Sequence, residues 1–197
     1  MRFVCLLLFA LLLALPGAAR PETLEAELLE GEALWQALRQ GGHVVLFRHA
    51  IAPGGGDPAT FRLGDCSTQR NLDEAGLRQA RAIGAAFRQN EVPVARVLAS
   101  RWCRSTETAE LAFGSADPFP ALDSFFQDRA RGPGQTEATR VRIQTFEGPG
   151  NMVMVTHQVN ITALTDIFPA SGEGVVLRPM PETPTGFAVV GRLRAWE

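Results

Sequence analysis

The sequence predicts one α/β domain, a three-layer α/β/α sandwich with a mainly parallel central sheet. Three observations carry that expectation. Short, almost wholly apolar runs such as HVVLF and NMVMVT have the character of strands buried on both faces. Between them lie longer stretches with helical apolar spacing, so strand and helix alternate along the chain. A length of 197 residues suits one domain with a full core and is short for two.

The first residues, MRFVCLLLFALLLALPGAARPE, read as a signal peptide over 1–19. Arg2 is the basic head, 3–15 the apolar stretch, and Gly17 to Ala19 the small-residue cleavage site. The apolar run is shorter than the roughly 20 residues of a spanning helix, and Cys5 lies too early for a lipoprotein acceptor. The expectation is therefore export, to a periplasm-like compartment, with no membrane span after cleavage and a single domain over 20–197. Cleavage after Ala19 leaves Cys66 and Cys103. In an exported protein two cysteines can form one disulfide; two buried thiols are the alternative.

Apolar residues at Leu24, Leu28, Leu34 and Leu38 predict a helix over 24–39, stopped by Gly41 and Gly42. A buried strand follows at 43–47. The segment APGGGDPATFRLGDCSTQRN has no sustained period and reads as a long loop, a length usually kept for function. From the cap Asp73, residues Leu77, Ala80, Ile83, Gly84 and Phe87 share one helical face, and Pro93 ends the segment. Further along come a short strand at 94–99, a helix within SRWCRSTETAELAF, the turn-rich GSADPFPAL, and a weaker helix at 136–146. The apolar strand at 151–156, a helix over 158–168 and closing strands at 174–177 and 187–193 complete the chain.

A net charge of −2 gives no general basic surface, so nucleic acid is not an expected partner. All 19 basic residues are Arg, which excludes Schiff-base and P-loop lysine chemistry. In a parallel sheet, ligands bind beyond the carboxyl ends of the strands. Three strands here end in reactive or anion-binding side chains: Arg48 and His49 after the strand at 43–47, Ser100, Arg101 and Arg104 after that at 94–99, Thr156 and His157 after that at 151–156. Guanidinium groups repel a cation, so this set favours an anion over a metal. Arg forks match phosphate oxygens, and Arg104 begins a helix whose N-terminus favours negative charge. His43 precedes its strand and is expected at the opposite edge. The sequon Asn160-Ile161-Thr162 reads as a chance match at a helix start.

Four elements resemble, in order, the signatures of the histidine phosphatase superfamily, whose fold is phosphoglycerate mutase-like. FRHA, with Ala50 for the usual Gly, resembles its Arg-His-Gly signature, and LDEAGLRQA at 72–80 its helix start with Asp as the cap. SRWCRSTETA at 100–109 resembles its second Arg element, and VTH at 155–157 its late strand. Together they cover roughly residues 43–160. The resemblance implies that His49 is the nucleophile forming a phosphohistidine, that Arg48, Arg104 and His157 clamp the phosphoryl group, and that no cofactor or metal takes part. It implies Asp123 as proton donor, with Asp128 as alternate. Arg101 is assigned to substrate binding; for Arg101, Arg70 and the glycines at 54–56 a solvated position is the alternative.

The implied activity is that of an exported phosphatase for a phosphorylated small molecule, an envelope sugar phosphate being one candidate. The alternative is a non-catalytic envelope protein binding a phosphorylated ligand in the same pocket. A Cys66–Cys103 bridge would pin the loop after His49 beside the clamp.

Overall fold

The computed structural model describes residues 28–196, so the expected signal peptide over 1–19 and the start of the expected first helix, 24–27, lie outside the described residues. Six strands form one sheet. They are β1 (Val44–Arg48), β2 (Val94–Ala99), β3 (Asp117–Pro118), β4 (Asn151–Thr156), β5 (Gly174–Pro179) and β6 (Phe187–Leu193), in the spatial order β3-β2-β4-β1-β5-β6. The pairs β3–β2, β2–β4 and β4–β1 are parallel, while β5 runs antiparallel to β1 and β6 to β5.

Period-two alternation divides the strand side chains between two cores. Val45 and Phe47 of β1, with Val153 and Val155 of β4, enter the first core. There they meet Leu34 and Leu38 of α1 (Gly31–Gln40), Ile83 and Phe87 of α2 (Glu74–Gln89), and Ala109 and Ala112 of α3 (Cys103–Phe113). Val44, Leu46, Met152 and Met154 enter the second, against Ile143 of α4 (Gly132–Gln144) and Ile161 of α5 (Gln158–Thr165). Both faces are thus covered, which is why β1 and β4 carry polar residues only at their ends. Close packing of α2 on α3 depends on Gly84, where a Cβ would run into the Ala112 carbonyl.

The first helix begins later than the sequence predicts. Glu30 is extended and Gly31 has φ +51°, so 28–30 lie outside α1. Leu29 donates its N–H to the Val190 carbonyl at 2.8 Å and pairs with Gly191 on the edge of β6. That tertiary pairing overrides helix propensity. α4 starts earlier than expected, at Gly132, because Pro133 suits a first turn. α5 is shorter, ended at Asp166 in the left-handed region. β3 is a two-residue strand in the segment expected to be a turn. No helix among the described residues is long and apolar enough to cross a membrane.

Candidate active site

The parallel core β2-β4-β1 brings three carboxyl ends to one edge of the sheet. Arg48 is in register with Thr156, and Ala99 with Val155. Pairing continues one step further: His49 N–H donates to the Thr156 carbonyl and Ser100 N–H to the Val155 carbonyl, both at 2.9 Å. His49 and His157 therefore leave neighbouring strands side by side, their ring centroids 5.4 Å apart. His43 lies at the other end of β1, bonded through Nδ1 to the Gly41 carbonyl.

Hydrogen bonds assign the tautomer of both rings. His49 Nδ1 donates to the Ala50 carbonyl at 2.8 Å, which leaves Nε2 as a bare lone pair accepting from Arg104 Nε at 3.2 Å. His157 Nε2 meets Ser100 Oγ at 2.8 Å, and Ser100 Oγ donates onward to Asp123 at 3.4 Å. His157 Nδ1 is then the acceptor for Arg104 Nη2 at 3.4 Å. Thr108 fastens the strand end that carries His49 to α3, accepting the Ala50 N–H at 3.0 Å and donating to the Arg104 carbonyl at 2.6 Å.

The two histidines open onto a pocket of about 190 Å³. Arg48, Arg70 and Arg104 line it with Gly54, Gly55, Gly56, Asp57, Trp102 and Phe126. Arg48 uses Nη1 on the Pro169 carbonyl at 3.0 Å, while its buried Nε has no protein partner. Such an unpaired donor at the wall suits an oxyanion. Arg70 binds the loop itself, through Nε to the Gly56 carbonyl at 2.9 Å and Nη1 to the Ala52 carbonyl. A larger groove, about 740 Å³, opens by the β2–β3 edge but contains neither histidine.

Burial and the surrounding arginines keep both rings neutral. His49 is pushed down to about 3, first by desolvation and then by the Arg104 charge, and burial likewise carries His157 well below the ordinary value with His49 and Arg104 adding to it. A stability consequence follows by linkage. Below the ordinary pKa of 6.5 the unfolded chain binds a proton that folded His49 refuses until about pH 3. Folding stability contributed by neutral His49 is therefore complete above pH 6.5 and falls with decreasing pH, by about 1.4 kcal/mol per unit. His157 acts in the same direction. Denaturant titrations at pH 7, 6, 5 and 4 are expected to show this decline, and His49→Asn to flatten it; equal slopes in the two proteins would contradict the assignment.

Asp123 and Arg101 stand outside the pocket lining. Asp123 is fully buried and does not line the pocket. It accepts the Arg101 N–H at 2.9 Å on one oxygen and Arg101 Nε at 2.9 Å and Nη2 at 2.5 Å on the other, with Arg131 at 3.8 Å. Two candidate site residues thus pair with each other, Asp123 taking the Nε–Nη2 edge of Arg101. The alternate acid, Asp128, is exposed and also outside the pocket lining. Instead the lining carboxylate is Asp57, whose oxygens accept Arg104 Nη1 at 2.6 Å, Arg104 Nη2 at 3.2 Å and Trp102 Nε1 at 2.9 Å. Burial alone would raise its pKa, but the bonds from Arg104 and Trp102 hold it below the ordinary carboxylate value. The one available signal was its place after three glycines in the long loop. The Asn160 amide, buried, donates to the Asp123 carbonyl at 2.9 Å.

Cys66 and Cys103 are bridged, with Cα atoms 5.7 Å apart across a sequence separation of 37. The bridge joins the loop to α3 one residue before Arg104. Replacing both by Ser is expected to cost about 4 kcal/mol in the chain-entropy account. Chemical denaturation of the double variant against the wild type checks it; a difference below about 1 kcal/mol would count against the entropic estimate.

No family model matches the chain, and neither does any curated protein. Solved structures do. The protein histidine phosphatase SixA, complexed with tungstate, superposes with a TM-score of 0.53 at 17% identity, over 78% of this chain and 97% of that one. A phosphoserine phosphatase variant from Entamoeba histolytica, complexed with phosphoserine, gives 0.52 at 11% identity, over 76% and 95%. TTHB049 from Thermus thermophilus gives 0.51 at 18% identity, over 77% and 98%. The chain has the phosphoglycerate mutase-like fold. Within that fold the β2-β4-β1 edge is where both histidines and Arg104 meet. Among the described residues no group of three or more His, Cys, Asp or Glu is arranged as a metal site.

Proposed function

We propose that the protein is an exported phosphomonoesterase of the histidine phosphatase superfamily, working through a phosphohistidine on His49. The observation that carries this reading is the bare Nε2 lone pair of His49, held neutral and aimed at the Arg104 edge it shares with His157. Imidazole attacks phosphorus only through an unprotonated nitrogen. Nε2 forms the P–N bond as the ester P–O bond breaks, and the departing oxygen takes a proton from solvent. Water then attacks the phosphohistidine, releasing inorganic phosphate and restoring the lone pair.

Catalysis of this kind is mainly charge stabilisation around the phosphoryl group in flight. Arg104 and the open Nε of Arg48 supply donors, and His157, neutral, orients rather than adds charge. SixA bound to tungstate and the phosphoserine phosphatase bound to phosphoserine support the reading by analogy of fold. Export rests on the sequence of 1–19, and the Cys66–Cys103 bridge agrees with an oxidising compartment. The substrate class is a phosphorylated small molecule, an envelope sugar phosphate included.

The test is phosphate release by the purified chain from a panel of phosphomonoesters with chelator present. Turnover with transient label on His49 is the expected result. Stoichiometric phosphate binding without label would instead identify a non-catalytic binding protein.

A further inference from the structure

We propose that Asp57 is a positioning residue for Arg104, a role that rests on the phosphohistidine reading above. A guanidinium group is planar and presents two donor edges, Nε–Nη2 and Nη1–Nη2. In this site the edges have separate partners. Nε and Nη2 reach His49 Nε2 at 3.2 Å and His157 Nδ1 at 3.4 Å, so this edge faces the two imidazoles. Nη1 and Nη2 meet the Asp57 carboxylate at 2.6 Å and 3.2 Å. A phosphoryl group joined to His49 Nε2 meets the first edge and leaves the second to Asp57.

Asp57 is itself fixed. Trp102 Nε1 donates to its Oδ2 at 2.9 Å, and Gln127 donates to its carbonyl at 3.2 Å. Arg70 holds the preceding glycine through the Gly56 carbonyl, and the Cys66–Cys103 bridge ties the same loop to α3 beside Arg104. Side chains of Arg104 and Asp57 are 3% and 6% exposed, which shields their pairing from water. Without the carboxylate, Arg104 Nη1 keeps only the Arg70 carbonyl at 3.3 Å, and the guanidinium is held by that bond and its two longer bonds to the imidazoles, with its shortest contact gone. Charge balance agrees: three arginines against one carboxylate leave the pocket positive enough for a dianion.

The opposite arrangement would have Asp57 compete with substrate, since a carboxylate imitates two phosphoryl oxygens on an arginine fork. It predicts opposite signs. Asp57→Ala, Asp57→Asn, Arg104→Lys and the double variant Asp57→Ala with Arg104→Lys are compared in kcat, KM and calorimetric affinity for inorganic phosphate, after thermal melting has verified folding. Positioning predicts that Asp57→Ala lowers kcat by about 10–100-fold, more than it changes KM. Asp57→Asn, whose amide oxygen still accepts one N–H, recovers part of that loss. In the Arg104→Lys background, removing Asp57 costs less than about 3-fold, because the group it orients is gone.

Raised phosphate affinity or raised kcat in Asp57→Ala would overturn the proposal in favour of competition. Full additivity of the two substitutions would overturn it in favour of a role independent of Arg104. If the wild type neither turns over nor becomes labelled on His49, the enzymatic reading fails by itself. The phosphate titrations then decide alone: affinity lost in Asp57→Ala but unchanged by the same substitution in Arg104→Lys keeps the positioning role, and any other pattern rejects it.

Discussion

His49→Ala is expected to lower phosphate release by at least about 10⁴-fold while leaving the fold intact. The reading places the P–N bond on His49 Nε2, and His157 is the second imidazole at the same edge. His157 Nε2 is engaged by Ser100, and its Nδ1 faces Arg104. Deleting the ring removes a buried, neutral imidazole whose one donated bond goes to the adjacent Ala50 carbonyl, so few other groups lose partners. Substrate affinity is expected to survive, because Arg48, Arg70 and Arg104 remain. Acid-labile phosphate should be trapped on the wild type in a rapid quench and be missing from the variant. A variant retaining more than about a tenth of wild-type kcat would remove His49 from the chemistry.

Arg104→Ala is expected to lower both activity and stability. Its side chain contacts His49, His157, Asp57 and the Arg70 carbonyl, so truncation removes the donor edge facing the imidazoles. Loss of one such preorganised donor costs about 10²–10³ in kcat. It also strands the Asp57 carboxylate, and breaking a buried ion pair from one side costs about 3–5 kcal/mol. Arg104→Lys keeps the charge but cannot serve two edges, so it should restore part of the stability and little of the rate. Urea denaturation alongside kinetics on the folded fraction separates the two effects. An alanine variant as stable as wild type would mean that Asp57 finds solvent or another partner.

The architecture was largely legible in the chain. Apolar runs of strand length, helical spacing at Leu77 to Phe87, and the cap Asp73, which accepts the Gly76 N–H at 2.8 Å, are local signals, and each element formed where they stood. The parallel core and the convergence of Arg48, His49, Arg104 and His157 followed from the alternation of strand and helix. Elements whose state depends on a distant partner were not legible. Leu29 left the helix to pair with Gly191, and Asp117–Pro118 became a strand through pairing with Leu98 and Ala99.

Carboxylates show the division most plainly. The family resemblance marked Asp123 as the acid, and its Leu-Asp-Ser setting carried no trace of Arg101, 22 positions earlier, folding back to pair with it. Asp57 stood in a loop without periodicity, where nothing local decides which way a side chain turns. By itself the sequence determined the longer strands, the presence of each α-helix and the edge at which the histidines and arginines meet, because those depend on hydrophobic period and chain order. Only the tertiary structure decided which acid faces Arg104 and which is consumed inside the fold. Pairing of buried charges is settled by distance and desolvation among residues far apart in the chain, and these exist only once the chain has folded.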